Sequence, residues 1–199
     1  MKLSITIVNY NQKYFPKLCV ESLKKSRTDF DYEIIVCDNH SSDESLEYLR
    51  EAEKKNLINL IEAGKNLGYG CGHNLAEKKA HGEYLLILNT DLTVQEDTLQ
   101  KLVDYLKKHQ DVGIVGPKLV YHNAEVQQSC RRNFHLMDLF IKRTFLRRFG
   151  GFKKRYERYI MADFDHKKTQ EVDLVTGAAM LMRRDLFEKV GGFDKRYFL

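Results

Sequence analysis

The stretch that most constrains this chain is Glu83-Tyr84-Leu85-Leu86-Ile87-Leu88-Asn89-Thr90-Asp91. Five apolar residues in a row, Tyr84 to Leu88, read as a strand buried on both faces. The run stops at a polar triplet, Asn89-Thr90-Asp91, before the next helix begins. In open parallel sheets, ligands bind at the carboxyl ends of the strands. An acid placed there can hold a divalent cation, and the cation can hold phosphates.

The rest of the chain supplies the sheet that such a strand needs. Ser4–Val8 alternates and then turns fully apolar, which predicts a first buried strand, and Asn9-Tyr10-Asn11 follows it. Pro16 suits the first turn of a helix, with Phe15, Leu18, Cys19 and Leu23 at helical spacing. Glu33–Cys37 predicts a second strand that ends at Asp38-Asn39. Ser41 and Glu44 have capping-box spacing, ahead of a helix with Leu46 and Leu49 on its inner face. Leu57–Ile61 predicts a weaker third strand, ending near Glu62. A glycine-rich loop, Asn66–Asn74, and a short helix with Ala76 and Ala80 then lead into the central run. Thr93 and Glu96 repeat the capping-box spacing before a stripe of Leu99, Leu102, Val103 and Leu106. Val112–Val115 and Leu119–Tyr121 predict short strands around Gly116-Pro117. Strand and helix thus alternate, which predicts an α/β fold with a central, mostly parallel sheet flanked by helices.

Beyond residue 121 the pattern weakens. Leu136–Phe149 predicts a helix whose broad apolar face is interrupted by Arg147. Regular patterning returns at Glu171–Val175 and Gly177–Met182, and a short helix around Asp185–Lys189 ends at Gly191-Gly192. A chain of 199 residues predicts one domain, with 1–121 as a nucleotide-binding half and 122–199 as a partial acceptor-side half. Roughly 70% of the unfolded surface can be buried at this size, so no structural metal or disulfide is required. Cys19, Cys37, Cys71 and Cys130 are widely spaced without a C-x-x-C pair, and predict reduced residues of a cytoplasmic protein. No apolar run approaches the roughly 20 residues needed to span a bilayer, and the start is too short and alternating for a signal peptide.

The net charge of +5 is unevenly spread: residues 131–158 carry ten Arg or Lys against Asp138 and Glu157. That basic segment predicts an anionic partner, or else a solvated charged surface. No nucleic-acid module accompanies it, so no nucleic acid is expected. A membrane surface with anionic lipids, or a lipid-phosphate-linked acceptor, is the expected partner, with the chain peripheral on the inner face of the membrane.

Asp91 could bridge a divalent metal to a diphosphate while Asn89 bonds a sugar hydroxyl, or the pair could merely cap the following turn. Asp38 could accept a hydrogen bond from a pyrimidine N–H, or form a strand-end turn with Asn39. The glycine loop could bring backbone N–H groups to a diphosphate, or serve only as a turn. It lacks the G-x-G-x-x-G fingerprint and does not follow the first strand, which argues against a dinucleotide-dependent oxidoreductase. His73 is read as a polar surface or hydrogen-bonded residue without a catalytic role.

Taken together, these pieces resemble the inverting family 2 glycosyltransferases of GT-A fold, in particular the bacterial rhamnosyltransferase-like branch. The similarity runs through Ile7–Asn11, Glu33–Asp43, Asn66–Asn74, Gly82–Asp91, Gly113–Pro117, Gln128–Arg132 and Gly177–Met180 to Gly191-Gly192-Phe193-Asp194, in order. The resemblance implies a nucleotide-sugar donor of the dTDP-rhamnose or UDP-hexose type. It also implies a saccharide or polyprenyl-linked acceptor in cell-surface polysaccharide synthesis. Asp38 would read the base, with Val8, Asn9, Tyr10, Asn11, Asn39 and Ser41 lining the nucleoside pocket. Asn66, Gly68, Tyr69 and Asn74 would lie along the ribose and diphosphate. Asn89-Thr90-Asp91 takes the place of the D-x-D motif with its first Asp replaced, leaving Asp91 to hold Mg²⁺ or Mn²⁺. Gly177 and Ala178 would border the sugar and acceptor.

In this family the segment matching Gly192–Leu199 runs directly into an acidic pair that supplies the general base. The chain stops before that pair, so the fold is expected to be C-terminally incomplete. Asp194 matches a turn position. The expectation is donor binding with weak or no transfer, since a general base typically contributes 10²–10⁴-fold. The alternative is a catalytically inactive nucleotide-binding or scaffold protein of a polysaccharide-assembly complex.

Overall fold

The structure, a computed structural model, describes residues 1–133 and 135–198, and the side chain of Leu139 is left aside. Phe134, in the basic segment, and Leu199, the last residue of the C-terminal motif, lie outside the described residues. Two compact units divide the chain: Met1–Val115 with Gly177–Leu199, and Gly116–Thr176. The C-terminal stretch from Gly177 therefore packs with the first unit, where the sequence reading had grouped it with residues 122–176.

The first unit is built on a six-stranded sheet. Its strands are β1 (Leu3–Asn9), β2 (Tyr32–Asp38), β3 (Asn59–Glu62), β4 (Tyr84–Asn89), β5 (Ile114–Val115) and β6 (Ala179–Arg183), in the order β3-β2-β1-β4-β6-β5. β1 pairs parallel with β2 and β4, and β2 pairs parallel with β3. β6 runs antiparallel to β4 and β5. The predicted central strand holds: Leu85, Leu86, Ile87 and Leu88 are all buried between β1 and β6. Both neighbours satisfy its backbone while helices cover its faces, so no position from Tyr84 to Leu88 faces water.

Helices α1 (Phe15–Lys24), α2 (Ser45–Lys54), α3 (Tyr69–Glu77), α4 (Thr98–Lys108) and α7 (Arg184–Lys189) join the strands of this unit. On α1 the inward stripe is Pro16, Cys19, Val20 and Leu23, whereas the predicted Phe15 and Leu18 are exposed. On α4 the predicted stripe of Leu99, Leu102, Val103 and Leu106 is buried. Neither predicted capping box forms. α2 begins after Glu44 and α4 after Asp97, each without a side-chain cap bond. Part of the predicted glycine loop is helical, because α3 already begins at Tyr69. The short strand expected at Leu119–Tyr121 reduces to a single bridge, Val120 to Val126.

The second unit contains α5 (Leu136–Arg143), a 3-10 turn (Phe145–Arg148) and α6 (Gly150–Tyr159). The one helix expected over Leu136–Phe149 is thus broken, and α6 has no counterpart in the sequence reading. Asp138 on α5 pairs with Arg155 on α6, and Ile141 is fully buried. Arg131 and Leu174 exchange backbone bonds at an isolated bridge.

Close packing in the first unit leaves no tolerance before the central strand. A Cβ on Gly82 would stand 2.4 Å from the Ser4 backbone nitrogen and 2.7 Å from the Leu3 carbonyl carbon. Backbone cannot swing aside as a side chain does. Gly82→Ala is expected to destabilise the fold by at least about 1–3 kcal/mol, read as a lower urea midpoint; an unchanged midpoint would contradict the packing described.

Candidate nucleotide site at the sheet's carboxyl edge

The strand order reverses at β1: β2 and β3 lie on one side of it, and β4 on the other. Such a switch point leaves a crevice outside the carboxyl ends of the two diverging strands. The register brings the polar tips to within one residue of each other, with Asn9 opposite Asp38 and Val8 opposite Asn89. The Asn89 amide donates to the Ala178 carbonyl at 2.9 Å, which brings Gly177 and Ala178 to the same edge. The structure therefore assembles the β1, β2, β4 and Gly177-Ala178 residues that the sequence singled out.

The side chains at that edge divide into two kinds. Asp38 is 1% exposed. Its Oδ1 accepts from Asn9 Nδ2 at 2.7 Å and Ser41 Oγ at 2.7 Å, and its Oδ2 accepts from the Ser41 amide at 2.8 Å. Asn9 Nδ2 also reaches Ser41 Oγ and Ser45 Oγ, at 3.0 and 2.9 Å. Ser41 Oγ in turn accepts from the Asn11 amide at 3.0 Å. Asp38 is thus already bonded within the chain, and a base N–H could reach it only by sharing or displacing one of these donors. Asn9 Oδ1 is a buried acceptor without a partner among the described residues. Ser41 does not cap α2, because its hydroxyl and amide are committed to Asp38.

The exposed kind comprises Tyr10, Asn11 and Asp91, with Asn89 half-buried and Thr90 buried beneath them. An open pocket of about 490 Å³ is lined by Ser41, Ser42, Lys13 and Arg50 among others. Asn11 Oδ1 accepts from the Ser42 amide at 2.8 Å, tying the tip of β1 to the rim of that pocket.

Around α3 the structure assigns different work from the sequence. Gly68 sits at φ 78° and opens the helix, accepting from Asn39 Nδ2 at 3.1 Å, while its amide donates to Asn66 Oδ1 at 2.8 Å. Tyr69 Oη donates to the Gly177 carbonyl at 2.5 Å. Asn74 brackets Phe193, accepting from its amide at 2.8 Å and donating to its carbonyl at 2.7 Å. The polar groups of Tyr69 and Asn74 therefore fasten the returning C-terminal segment to α3 and are not free along the crevice. Gly70 and Gly72 lie inside the helix, where a Cβ would come within 2.8 Å of Phe193 and Val8 respectively.

Of the two readings of His73, surface or hydrogen-bonded, the structure shows the second: it is buried, with Nδ1 3.0 Å from Thr6 Oγ1. Tyr69 meets its ring edge-on at 4.5 Å. Burial pushes its pKa down to about 3, so the ring is neutral at physiological pH. Burial, with the charge of Asp91 adding to it, pushes the Cys19 thiol up to about 12. All four cysteines are free. Thr6, Ser45 and Phe193 complete these clusters; sequence reasoning gave Thr6 and Ser45 no role and placed Phe193 in a family motif without assigning it one.

The sequence profile described as Glycosyl transferase family 2 matches residues 4–191. The chain belongs to this family. The O-antigen biosynthesis protein RfbC of Myxococcus xanthus is 29% identical over 98% of the chain and 15% of its own length. A crystal structure of S. aureus TarS 1-349 with UDP-GlcNAc is 25% identical with a TM-score of 0.56, covering 67% of this chain and 39% of that one. The mannosyltransferase PcManGT from Pyrobaculum calidifontis, with GDP-Man and Mn²⁺, is 21% identical with a TM-score of 0.64, covering 98% and 48%. These likenesses establish the GT-A fold. The family 2 chain spans less than half of each of these longer proteins.

Whether the family 2 crevice fits a divalent cation can be asked of its donors. Among the described residues no three His, Cys, Asp or Glu side chains converge. Asp91 is a single exposed carboxylate at the end of β4. Mg²⁺-type ions are commonly held by one or two carboxylates plus substrate phosphates, without a protein cage, so the donor set fits. Asp194 is exposed and paired with Arg196, whose side chain and amide hold its carboxyl below the usual carboxylate range. That makes Asp194 a poor proton acceptor.

The neutral burial of His73 has a measurable consequence. Its folded pKa lies below the unfolded value near 6.5, so the unfolded chain binds more protons between about pH 6.5 and 3. The contribution of the neutral ring is complete above that window and is lost as pH falls through it. His73→Gln is expected to flatten the fall in urea midpoint across this range; an unchanged slope would show that other groups govern it.

Proposed function

We propose that this family 2 domain binds a nucleoside-diphosphate sugar in the β1/β4 crevice and takes part in transferring the sugar, with inversion, to an acceptor hydroxyl. The observation that carries the reading is the register of the strand ends, with Asn9 opposite Asp38 and Asn89 opposite Val8 one residue earlier, which gathers three polar strand tips around one switch point. Asn9 Oδ1 has no partner among the described residues, and a base or ribose donor would reach this buried acceptor only after the groups covering it move. Exposed Tyr10 offers a ring for the base. Amides at the start of α3, beyond Gly68, suit a diphosphate.

Asp91 would hold Mg²⁺ or Mn²⁺ together with the diphosphate. Bound there, the ion would offset charge on the departing nucleotide. Asn89 would orient a sugar hydroxyl, and Gly177-Ala178 would border the transferred sugar and acceptor. The ligands named for the two solved relatives, UDP-GlcNAc and GDP-Man with Mn²⁺, support a donor of this class. The O-antigen role named for RfbC supports a saccharide or polyprenyl-linked acceptor in cell-surface polysaccharide synthesis. Whether the donor is of the dTDP-rhamnose or the UDP-hexose type is what a nucleotide series would decide. Asp194 is not assigned as the base.

Thermal melting with UDP, dTDP and GDP, with and without Mn²⁺, tests this directly. A ligand at 100 times its Kd stabilises by about 2.7 kcal/mol, so at least one nucleotide is expected to raise the melting temperature clearly. Asp91→Asn is expected to remove the Mn²⁺-dependent part of that rise, while Asp194→Asn leaves it intact. No shift with any nucleotide would overturn the reading.

A further inference from the structure

The second unit carries an apolar surface that its own packing leaves open. On α5, Leu136 is 84% exposed, and Met137 and Phe140 are exposed beside it, although Ile141 on the same helix is fully buried. Phe145 is 73% exposed and meets the exposed Phe149 edge to face, with ring centroids 6.2 Å apart. Phe152 at the start of α6 is also exposed. Scattered single apolar residues on a surface need no explanation, but six large ones concentrated in one short run do.

Cations interleave with them. Arg155 is engaged by Asp138, Lys153 by Glu157 and Arg132 by Asp163. Lys142, Arg143, Arg147, Arg148, Lys154 and Arg158 make no ion pair among the described residues. The core of a protein–protein interface is depleted of charge overall and of Lys, although Arg is enriched there. A bilayer surface accepts both components: aromatic and aliphatic side chains enter the headgroup–acyl boundary while Lys and Arg reach the lipid phosphates. Among the described residues no helix is long and apolar enough to cross a membrane.

We propose that residues 136–158 dock the second unit on anionic phospholipid, with Leu136, Phe140, Phe145 and Phe149 inserted and the six unpaired cations at the phosphate level. Anionic lipid is chosen over a second copy of the chain because the surface is cationic, and like charges would face each other in a symmetric dimer. The inference rests on this surface alone and is independent of the donor site.

The chain contains no Trp, so Phe149→Trp supplies a single fluorescent reporter. It is expected to shift to shorter wavelength, and to be quenched by brominated acyl chains, with phosphatidylglycerol-containing vesicles and not with phosphatidylcholine alone. The combined variant Phe140→Ser, Phe145→Ser and Phe149→Ser is expected to lower the vesicle-bound fraction on the order of tenfold without lowering the melting temperature. Replacing Arg143, Arg147 and Arg148 by Ser should abolish the preference for anionic lipid. An unshifted reporter would overturn the proposal, whatever the fate of the triple variant. So would binding that high salt abolishes completely and the Phe substitutions do not change, which would mean charge without insertion. A dimer seen by light scattering, dissolved by the Phe substitutions and indifferent to vesicles, would identify a second copy as the true occupant.

Discussion

Asp38 is a carboxyl group set almost completely out of water at the end of β2, and the carboxyl edge of the sheet is organised around satisfying it. A buried carboxyl without donors is expensive, so its three hydrogen bonds are requirements of the fold. Asn9 supplies one from the adjacent strand and Ser41 supplies two from the loop that follows. Meeting them bends the chain: Asn11 and His40, on either side of the cluster, take positive φ. The same bonds set the heights of the β1 and β2 tips relative to each other. The crevice owes its shape to this cluster before any ligand arrives.

The buried and exposed polar groups of the site consequently do different things. Asn9, Asp38, Asn39 and Ser41 bond mainly to one another and to Gly68, and they hold loops in place. Tyr69 and Asn74 do the same for Gly177 and Phe193. The aromatic contacts among Tyr69, His73, Phe187 and Phe193 make that junction apolar, which is why His73 stays neutral. Tyr10, Asn11 and Asp91 remain exposed at the rim, with Asn89 partly so. On the proposed reading, a carboxylate that meets a cation and a diphosphate has to be reachable from solvent, and Asp91 is exposed at the end of β4.

How much of this was legible in the sequence follows from which forces are local. Strands β1, β2 and β4 announced themselves because burial on both faces demands continuous apolar runs, and their polar tips followed from where those runs stop. Ser41 and Glu44 misled because capping-box spacing is a local signal, while the donor that Asp38 required came from a partner outside the helix. Gly70 and Gly72 read as a loop because glycine is a poor helix former; Val8 and Phe193, distant in sequence, are what make small residues necessary there. The roles of Tyr69 and Asn74 depend on contacts spanning more than a hundred residues, which spacing cannot reveal. α6 was missed because it opens on two glycines and buries only Tyr159, leaving no apolar stripe to detect.

The interrupted helical face over Leu136–Phe149 is the most informative of these failures. A single amphipathic helix would have one apolar side, but α5 has a buried side at Ile141 and an exposed one at Leu136 and Phe140. The Asp138–Arg155 pair explains why the two cannot exchange. Asp138 lies on the inward side, almost wholly buried, and also accepts from the His135 amide. Rolling α5 to bring Phe140 inward would carry Asp138 away from Arg155 and lose the ion pair to α6, while the His135 amide, part of the same helix cap, would move with it. The outward apolar face is thus fixed by the same electrostatics that holds α5 to α6. Its interruption by Arg147 is no longer a flaw in a core pattern, since that face never enters the core.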